Sequence, residues 1–261
     1  AKKSELITVT GQDLLSEQAN SMLKTMQVSP NFTIDQHRPT TLKQRFRTKE
    51  KTLLRVSHLH QSDISEKFQK KILEKVALLL EDAHLLVFSD FNYGVLPDEL
   101  VKKISKLAEE KGIYTVADSQ SSSQIGDISR YKGINLLTPT EREARIALQD
   151  YSSGLVILAE KLKQKTKVEN ILLKLGEEGV LIQANNPKEN SFITDRISAL
   201  NSTPKDVAGA GDSMLITAAM ILSVGGTIWE ASLLGSLAAS LQVSKLGNQP
   251  LNISELNRHL I

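Results

Sequence analysis

The sequence predicts an α/β fold in which a mostly parallel sheet is flanked by crossover helices and carries a small β appendage near residues 40 to 60. Three observations lead there. Amphipathic helical stretches repeatedly feed short apolar or β-branched runs, the pattern of a parallel sheet with crossover helices. Two β-like runs on either side of residue 50 are separated only by a charged turn, as in an antiparallel pair. The length, 261 residues with 40% apolar and 24% charged side chains, suits a globular chain with a sizeable core.

In order, Leu6 to Thr10 reads as a buried strand, and Gly11-Gln12-Asp13 turns the chain into an amphipathic helix from Leu14 to Met26. After a polar stretch come the paired runs, Thr40 to Arg47 and Lys51 to Val56, around the turn Thr48-Lys49-Glu50. The helix Ser65 to Leu80 feeds the strand Leu85 to Ser89, and the helix Pro97 to Lys111 feeds the strand Ile113 to Ala117. Ile134 to Leu137 is a further short strand, Glu141 to Leu148 and Ser153 to Lys165 are helical, and Asn170 to Lys174 is a strand. Gly176-Glu177-Glu178-Gly179 turns the chain into the strand Val180 to Ile182. Three helices close the sequence: Ala210 to Val224, Thr227 to Lys245 and Ile253 to Leu260. No internal repeat or low-complexity tract appears, and the Ser119 to Ser123 cluster is too short for a linker.

The most informative stretch is Asp206-Val207-Ala208-Gly209-Ala210-Gly211-Asp212, which runs directly into an apolar helix. Glycines let peptide N–H groups approach a ligand closely, and the start of a helix has unsatisfied N–H groups and a positive dipole end, so the turn suits an anion such as phosphate. A carboxylate repels phosphate, which makes Asp212 a candidate general base for a neighbouring hydroxyl. The alternative is that Asp212 or Ser213 merely caps the helix. Ligands in open α/β sheets lie beyond the carboxyl ends of the strands, so polar groups there are further candidates: Asp90, Asp118, Thr138 to Glu143, and Lys174 to Gly179. Each also reads as a cap or turn, and Thr140 with Glu143 fits a capping box.

Composition excludes several function classes. A net charge of +2 gives no single-sign field, so nucleic acid is not expected as a partner. Without cysteine there is no disulfide and no thiolate metal site, which fits a cytoplasmic protein. No run approaches the roughly 18 apolar residues of a membrane span. The glycine-rich phosphate loop ending in Gly-Lys-Ser/Thr is absent, and Gly209-Ala210-Gly211 lacks the third glycine of the dinucleotide fingerprint. His58-Leu59-His60 places two imidazoles on one side of a strand, a pairing expected to be incidental among five histidines with no cysteine.

In this order the features resemble the PfkB, or ribokinase-like, carbohydrate kinase family. Asp206 to Asp212 resembles the family's Asp-Thr-x-Gly-Ala-Gly-Asp signature, and the strand-end groups follow in family order. Within the family, Ser89 to Leu96, Leu136-Leu137-Thr138-Pro139 and Lys245-Leu246-Gly247 look like segments of the kinase halves of bacterial ADP-heptose synthases, which phosphorylate heptose 7-phosphate at the anomeric hydroxyl. The resemblance runs from about Glu5 to the C-terminus. It implies a three-layer α/β/α sandwich with a small β lid, a single kinase domain over residues 1–261 with lid strands at about 40–57, and ATP-dependent phosphorylation of a hydroxyl on a sugar or sugar phosphate.

Roles are implied residue by residue. Asp212 is the base, and the amides of Ala208 to Gly211, with Gly209, Ala210 and Gly211 at its centre, form the anion hole. Glu143 matches the acidic end of the Asn-x-x-Glu motif that organises Mg2+. Lys174, Gly176 and Gly179 border the nucleotide, with Thr140, Ser236, Gly247 and Asn248 also on the nucleotide side. Asp90 and Asp118 face the sugar, and the lid cations Lys43, Arg45 and Arg55 meet a sugar phosphate. The family also admits a monovalent cation and a homodimer formed through the lid, whose two-stranded ribbon needs cover.

Three departures stand out. Thr140 replaces the family's Asn, and Ser119-Gln120 replaces the Pro-Lys of the heptose kinases. The family's first strand, its acidic sugar ligand and its Gly-Gly signature would precede Leu6, so the sequence is expected to be a fragment holding the nucleotide half of a site and part of the sugar half. These departures keep a second expectation open: a degenerate kinase fold that binds nucleotide or a partner without catalysis.

Overall fold

The computed structural model of the chain describes residues 1–48, 52–121, 125–186, 191–247 and 249–259. They divide into two compact units, residues 1–82 with 92–104, and residues 83–91 with 105–261. Within the first unit, strand β1 (Ser4–Thr10), helix α1 (Leu14–Thr25) and strand β2 (Val28–Ile34) form a small β-α-β motif in which β2 pairs parallel to β1. The ribbon β3 (Leu42–Arg47) and β4 (Thr52–His58) pairs antiparallel, with Arg45 directly opposite Arg55 and Phe46 opposite Leu54. Helix α2 (Glu66–Leu79) follows. The paired runs read from the sequence are therefore present, while their turn at Lys49-Glu50 lies outside the described residues.

Side chains anchor the base of the ribbon. Asp13 caps α1 by accepting from the Ser16 N–H at 2.9 Å, and its other oxygen accepts from the Thr40 N–H at 2.8 Å. The buried Arg38 guanidinium donates to the carbonyls of Tyr93 at 2.7 Å and Ser62 at 2.5 Å. Gly94 has φ +75°, and a β-carbon there would sit 2.1 Å from the Ser62 carbonyl oxygen. Only glycine allows that approach.

Helix α3 (Asp98–Glu110) carries residues of both units. The second unit holds a six-stranded sheet, in the order β10-β9-β8-β7-β6-β5. Its strands are β5 (Leu85–Asp90), β6 (Tyr114–Ser119), β7 (Leu136–Leu137), β8 (Asn170–Lys174), β9 (Val180–Asn185) and β10 (Phe192–Ile197). Strands β5 to β8 are parallel, and β9 and β10 run antiparallel at one edge. The helices are α4 (Glu141–Leu148), α5 (Leu155–Thr166), α6 (Ala210–Ser223), α7 (Ile228–Val243) and α8 (Ile253–Asn257). Met214, Leu215, Ala218, Ala219 and Leu222 of α6 pack on Val116, Leu136, Leu172, Val180 and Ile182 of the sheet. Alternation along β8 sends Ile171 and Leu173, both fully buried, to the opposite face, where α5 packs. Cover on both faces explains why these strands read as continuous apolar runs.

The structure adds strands β2 and β10, which the sequence reading passed over. Both are partly exposed, and β2 contains Pro30, so neither presents the apolar run of a central strand. The last helix ends at Asn257 with Arg258 as its C-cap, short of the expected Leu260, which lies outside the described residues. Of the serine cluster, residues 122–124 are likewise outside them.

Candidate functional site

Four parallel strands end on the same edge of the sheet, and each delivers a polar group there. Asp90 ends β5, Asp118 and Ser119 end β6, Thr138 follows β7, and Lys174 ends β8. Register makes the alignment exact to the residue, with Ser89 opposite Asp118 and Asp90 opposite Ser119. Helix α6 starts beside them. Its N-cap is Gly209, at φ +81° and with no side-chain cap, which places Ala210, Gly211 and Asp212 in the first turn. Neither Asp212 nor Ser213 caps the helix, so the capping alternative raised from the sequence does not hold. The N–H groups of Gly209 and Gly211 have no partner among the described residues. Unpaired amides at the positive end of a helix fit an oxyanion.

Charged groups converge on this turn. The Lys174 ammonium donates to both oxygens of Asp118, at 2.9 and 3.0 Å. A β-carbon at Gly211 would lie 3.1 Å from the Lys174 Nζ and 3.6 Å from its Cδ, so the lysine stem runs against the glycine backbone. Gln120 donates from Nε2 to the Asp212 carboxylate at 3.4 Å. Asp206 accepts from the Ala208 N–H and, on its other oxygen, from the Gly247 N–H, both at 3.1 Å. From α7, the buried Gln242 amide donates to the Ala208 carbonyl at 3.5 Å and accepts from the Ser213 hydroxyl at 3.4 Å. The turn is thus fixed at both ends.

Glu143 is buried and its carboxylate is engaged. One oxygen accepts from the Thr140 N–H at 2.7 Å, completing a capping box, and the other from the Ser121 N–H at 3.1 Å. Among the described residues no group of three or more His, Cys, Asp or Glu side chains gathers as a metal cage. His58 and His60 form no such group, and His60 Nε2 lies 2.7 Å from the Ser62 hydroxyl. Among the described residues there is therefore no protein cage for Mg2+. A magnesium ion carried on nucleotide phosphates keeps several of its own waters and needs no cage.

Asp90 is also committed to a network. One of its oxygens accepts from the Arg130 guanidinium at 2.5 Å, the Tyr131 hydroxyl at 2.8 Å and the Ser119 hydroxyl at 3.3 Å. Burial, followed by the Asp90 charge, pushes the Tyr131 phenol well above its ordinary pKa. Arg130, Tyr131 and Gln242 were not singled out from the sequence, since none belongs to a recognisable motif there, and Gln120 was noted only as a departure from the heptose-kinase pattern.

The remaining candidates are dispersed. Gly176 has φ +63° with open space around it, whereas a β-carbon at Gly179 would sit 2.0 Å from the Ile197 carbonyl oxygen. The second glycine is therefore required by the close approach of the segment after β10. Ser236 lies within α7, buried, its hydroxyl without a partner among the described residues. Asn248 lies outside the described residues. Lys43, Arg45 and Arg55 belong to the first unit, where alternation puts them on one face of the ribbon, with the Lys43 ammonium 5.1 Å from the Tyr93 ring centroid.

Residues 2–255 match the model of the pfkB family carbohydrate kinases. Among curated proteins, the bifunctional protein HldE of Coxiella burnetii is 31% identical over 258 residues, 98% of this chain and 52% of that protein. The bifunctional protein HldE of Aliarcobacter butzleri is 28% identical over 257 residues, 97% of this chain and 52% of that protein. The chain spans about half the length of these curated relatives. Among solved structures, phosphofructokinase-2 from Escherichia coli in complex with potassium superposes with a TM-score of 0.80 at 16% identity, covering 98% of this chain and 81% of that one. Ribokinase from Thermotoga maritima does so with a TM-score of 0.76 at 19% identity, covering 98% and 80%. Both are likenesses of fold, and the fold is ribokinase-like. The chain belongs to the pfkB family of carbohydrate kinases.

Proposed function

We propose that this member of the pfkB carbohydrate kinase family transfers the γ-phosphoryl group of ATP to a hydroxyl of a sugar or sugar phosphate, with Asp212 as general base. The observation that carries the reading is the start of α6. A glycine N-cap leaves the Gly209 and Gly211 amides unpaired, and the carboxylate of Asp212 stands one residue beyond them. In the proposed step Asp212 takes the hydroxyl proton and the oxygen bonds to the γ-phosphorus. The bond from that phosphorus to the bridging oxygen breaks, and ADP leaves with the electron pair. The amides of the turn stabilise the charge on the moving phosphoryl group. Gln120 orients the base, while Asp206 and Gln242 keep the turn in place. Magnesium accompanying the nucleotide would neutralise phosphate charge.

On the acceptor side, Lys43, Arg45 and Arg55 form a cationic ribbon face in the first unit, which supports an acceptor that already carries phosphate. Likeness to the HldE proteins over nearly the whole chain supports a heptose phosphate as that acceptor. The opposite ribbon face exposes Phe46 and Leu54, which supports a homodimer closed through the ribbon. The lack of cysteine supports a cytoplasmic setting, and among the described residues no helix is long and apolar enough to cross a membrane.

Replacing Asp212→Asn is expected to lower ADP release about 10²- to 10⁴-fold, the usual contribution of a general base, while ATP binding stays within a few-fold. Turnover near the original rate would reject Asp212 as the base. A second reading, nucleotide binding without catalysis, is favoured by one observation: both oxygens of Glu143 are taken by backbone N–H groups. Retained ATP binding with no ADP release across a panel of sugars and sugar phosphates would select it.

A further inference from the structure

Lys174 and Asp118 form a buried ion pair that no structural need of the sheet explains. Their side chains are 13% and 5% exposed. The lysine backbone is already secured by its N–H, which donates to the Pro139 carbonyl at 2.8 Å, and by a bridge to Thr140. The side chain then turns along Gly211, into the first turn of α6. This is an unfavourable place for an ammonium ion, because a helix N-terminus carries partial positive charge. Two unpaired amides and a buried cation thus converge, and Asp118 answers the charge of the lysine alone. The ammonium has three N–H donors and spends two on Asp118, so with the two amides it can still donate to an anion.

We propose that Lys174 is a catalytic cation whose ammonium contacts the γ-phosphoryl oxygens of ATP at the Gly209–Gly211 turn, and that Asp118 is a positioning residue that holds it there. The proposal rests on the kinase reading above and deepens it: the anion hole has a side-chain component delivered from the end of β8. It also moves Asp118 away from the sugar, since both of its oxygens are engaged by Lys174. Gly211 is glycine for a matching reason. A methyl group at that position would press on the ammonium at 3.1 Å.

A γ-phosphoryl contact is visible as a difference between ATP and ADP, which a merely structural ion pair would leave unchanged. Calorimetric titration of the intact chain with each nucleotide, in the presence of magnesium, gives the ratio of the two affinities. The paired variant Lys174→Met with Asp118→Asn removes the cation without stranding a buried carboxylate. It is expected to lower the ATP-to-ADP affinity ratio about tenfold, the scale of one charge-assisted hydrogen bond, while ADP affinity stays within a few-fold. Gly211→Ala keeps the ion pair and displaces the ammonium, and it should lower the ratio in the same direction, which covers the case of a paired variant that does not fold. A ratio within twofold of the original in either folded variant overturns the proposal and leaves the kinase reading standing. An unmodified chain that binds neither nucleotide overturns both.

Discussion

Gly209 and Gly211 illustrate how two identical residues, two positions apart, do different work. Gly209 is the N-cap of α6 at φ +81°, a left-handed conformation that costs a residue with a β-carbon roughly 1–2 kcal/mol. Gly211 has ordinary helical backbone and is constrained only by the Lys174 side chain against it. Gly209→Ala is therefore expected to lower unfolding free energy by about 1 kcal/mol in a urea titration, whereas Gly211→Ala should preserve stability or raise it slightly by reducing the freedom of the unfolded chain. Equal losses in the two variants would contradict this division. The sequence motif signals both glycines but cannot separate them, because the φ angle of one and the neighbour of the other depend on packing. The same limit applies to Asp90. Its place at a strand end was legible, but its engagement with Arg130 and Tyr131, forty residues on, was not.

At the level of elements, α5 shows burial overriding an ordinary ionisation. Its Lys163 is 3% exposed, donates to the Glu169 carbonyl and lies with its ammonium 5.1 Å from the Phe192 ring centroid of β10. Burial lowers its pKa to about 8, from an ordinary 10.5, against the raising influence of Glu169. Below pH 8 the folded state bears the cost of a buried charge. Between 8 and 10.5 the unfolded state binds more protons, so the contribution of this group to stability rises with pH across that window and is flat above it. Compared with Lys163→Met, the unmodified chain should gain on the order of 1–3 kcal/mol between those limits in denaturant titrations. Parallel pH profiles for the two proteins would refute the depressed pKa. Most elements were legible because their apolar periodicity matches their burial. Strands β2 and β10 were not, since an edge strand is stabilised by its one neighbour and need not carry an apolar run of its own.

For the whole molecule, the prediction concerns assembly. Phe46 is 50% and Leu54 55% exposed, directly opposite each other on a ribbon of only two strands. Such a ribbon is marginal unless its apolar face is covered. Light scattering is expected to give twice the chain mass, and Phe46→Glu with Leu54→Glu is expected to return a monomer that still binds ATP. A monomeric unmodified chain would remove the ribbon as a dimer contact. The variant would probe this contact without touching the strand ends or α6, which carry the proposed chemistry.

By itself, the sequence determined the fold class, nearly all of the helices and central strands, and the family, and it singled out the Gly-Ala-Gly-Asp turn that we propose as the place for phosphate. These are properties of local pattern: periodicity, turn chemistry and motif spacing act over a few residues and are written in order along the chain. Only the tertiary structure decided how the strand-end groups are shared out. It committed Asp90 to Arg130 and Tyr131, Glu143 to backbone N–H groups, and Asp118 to Lys174, fifty-six residues away. A carboxylate has few lone pairs, and which donor claims them is settled by distance in three dimensions, not by position in the chain.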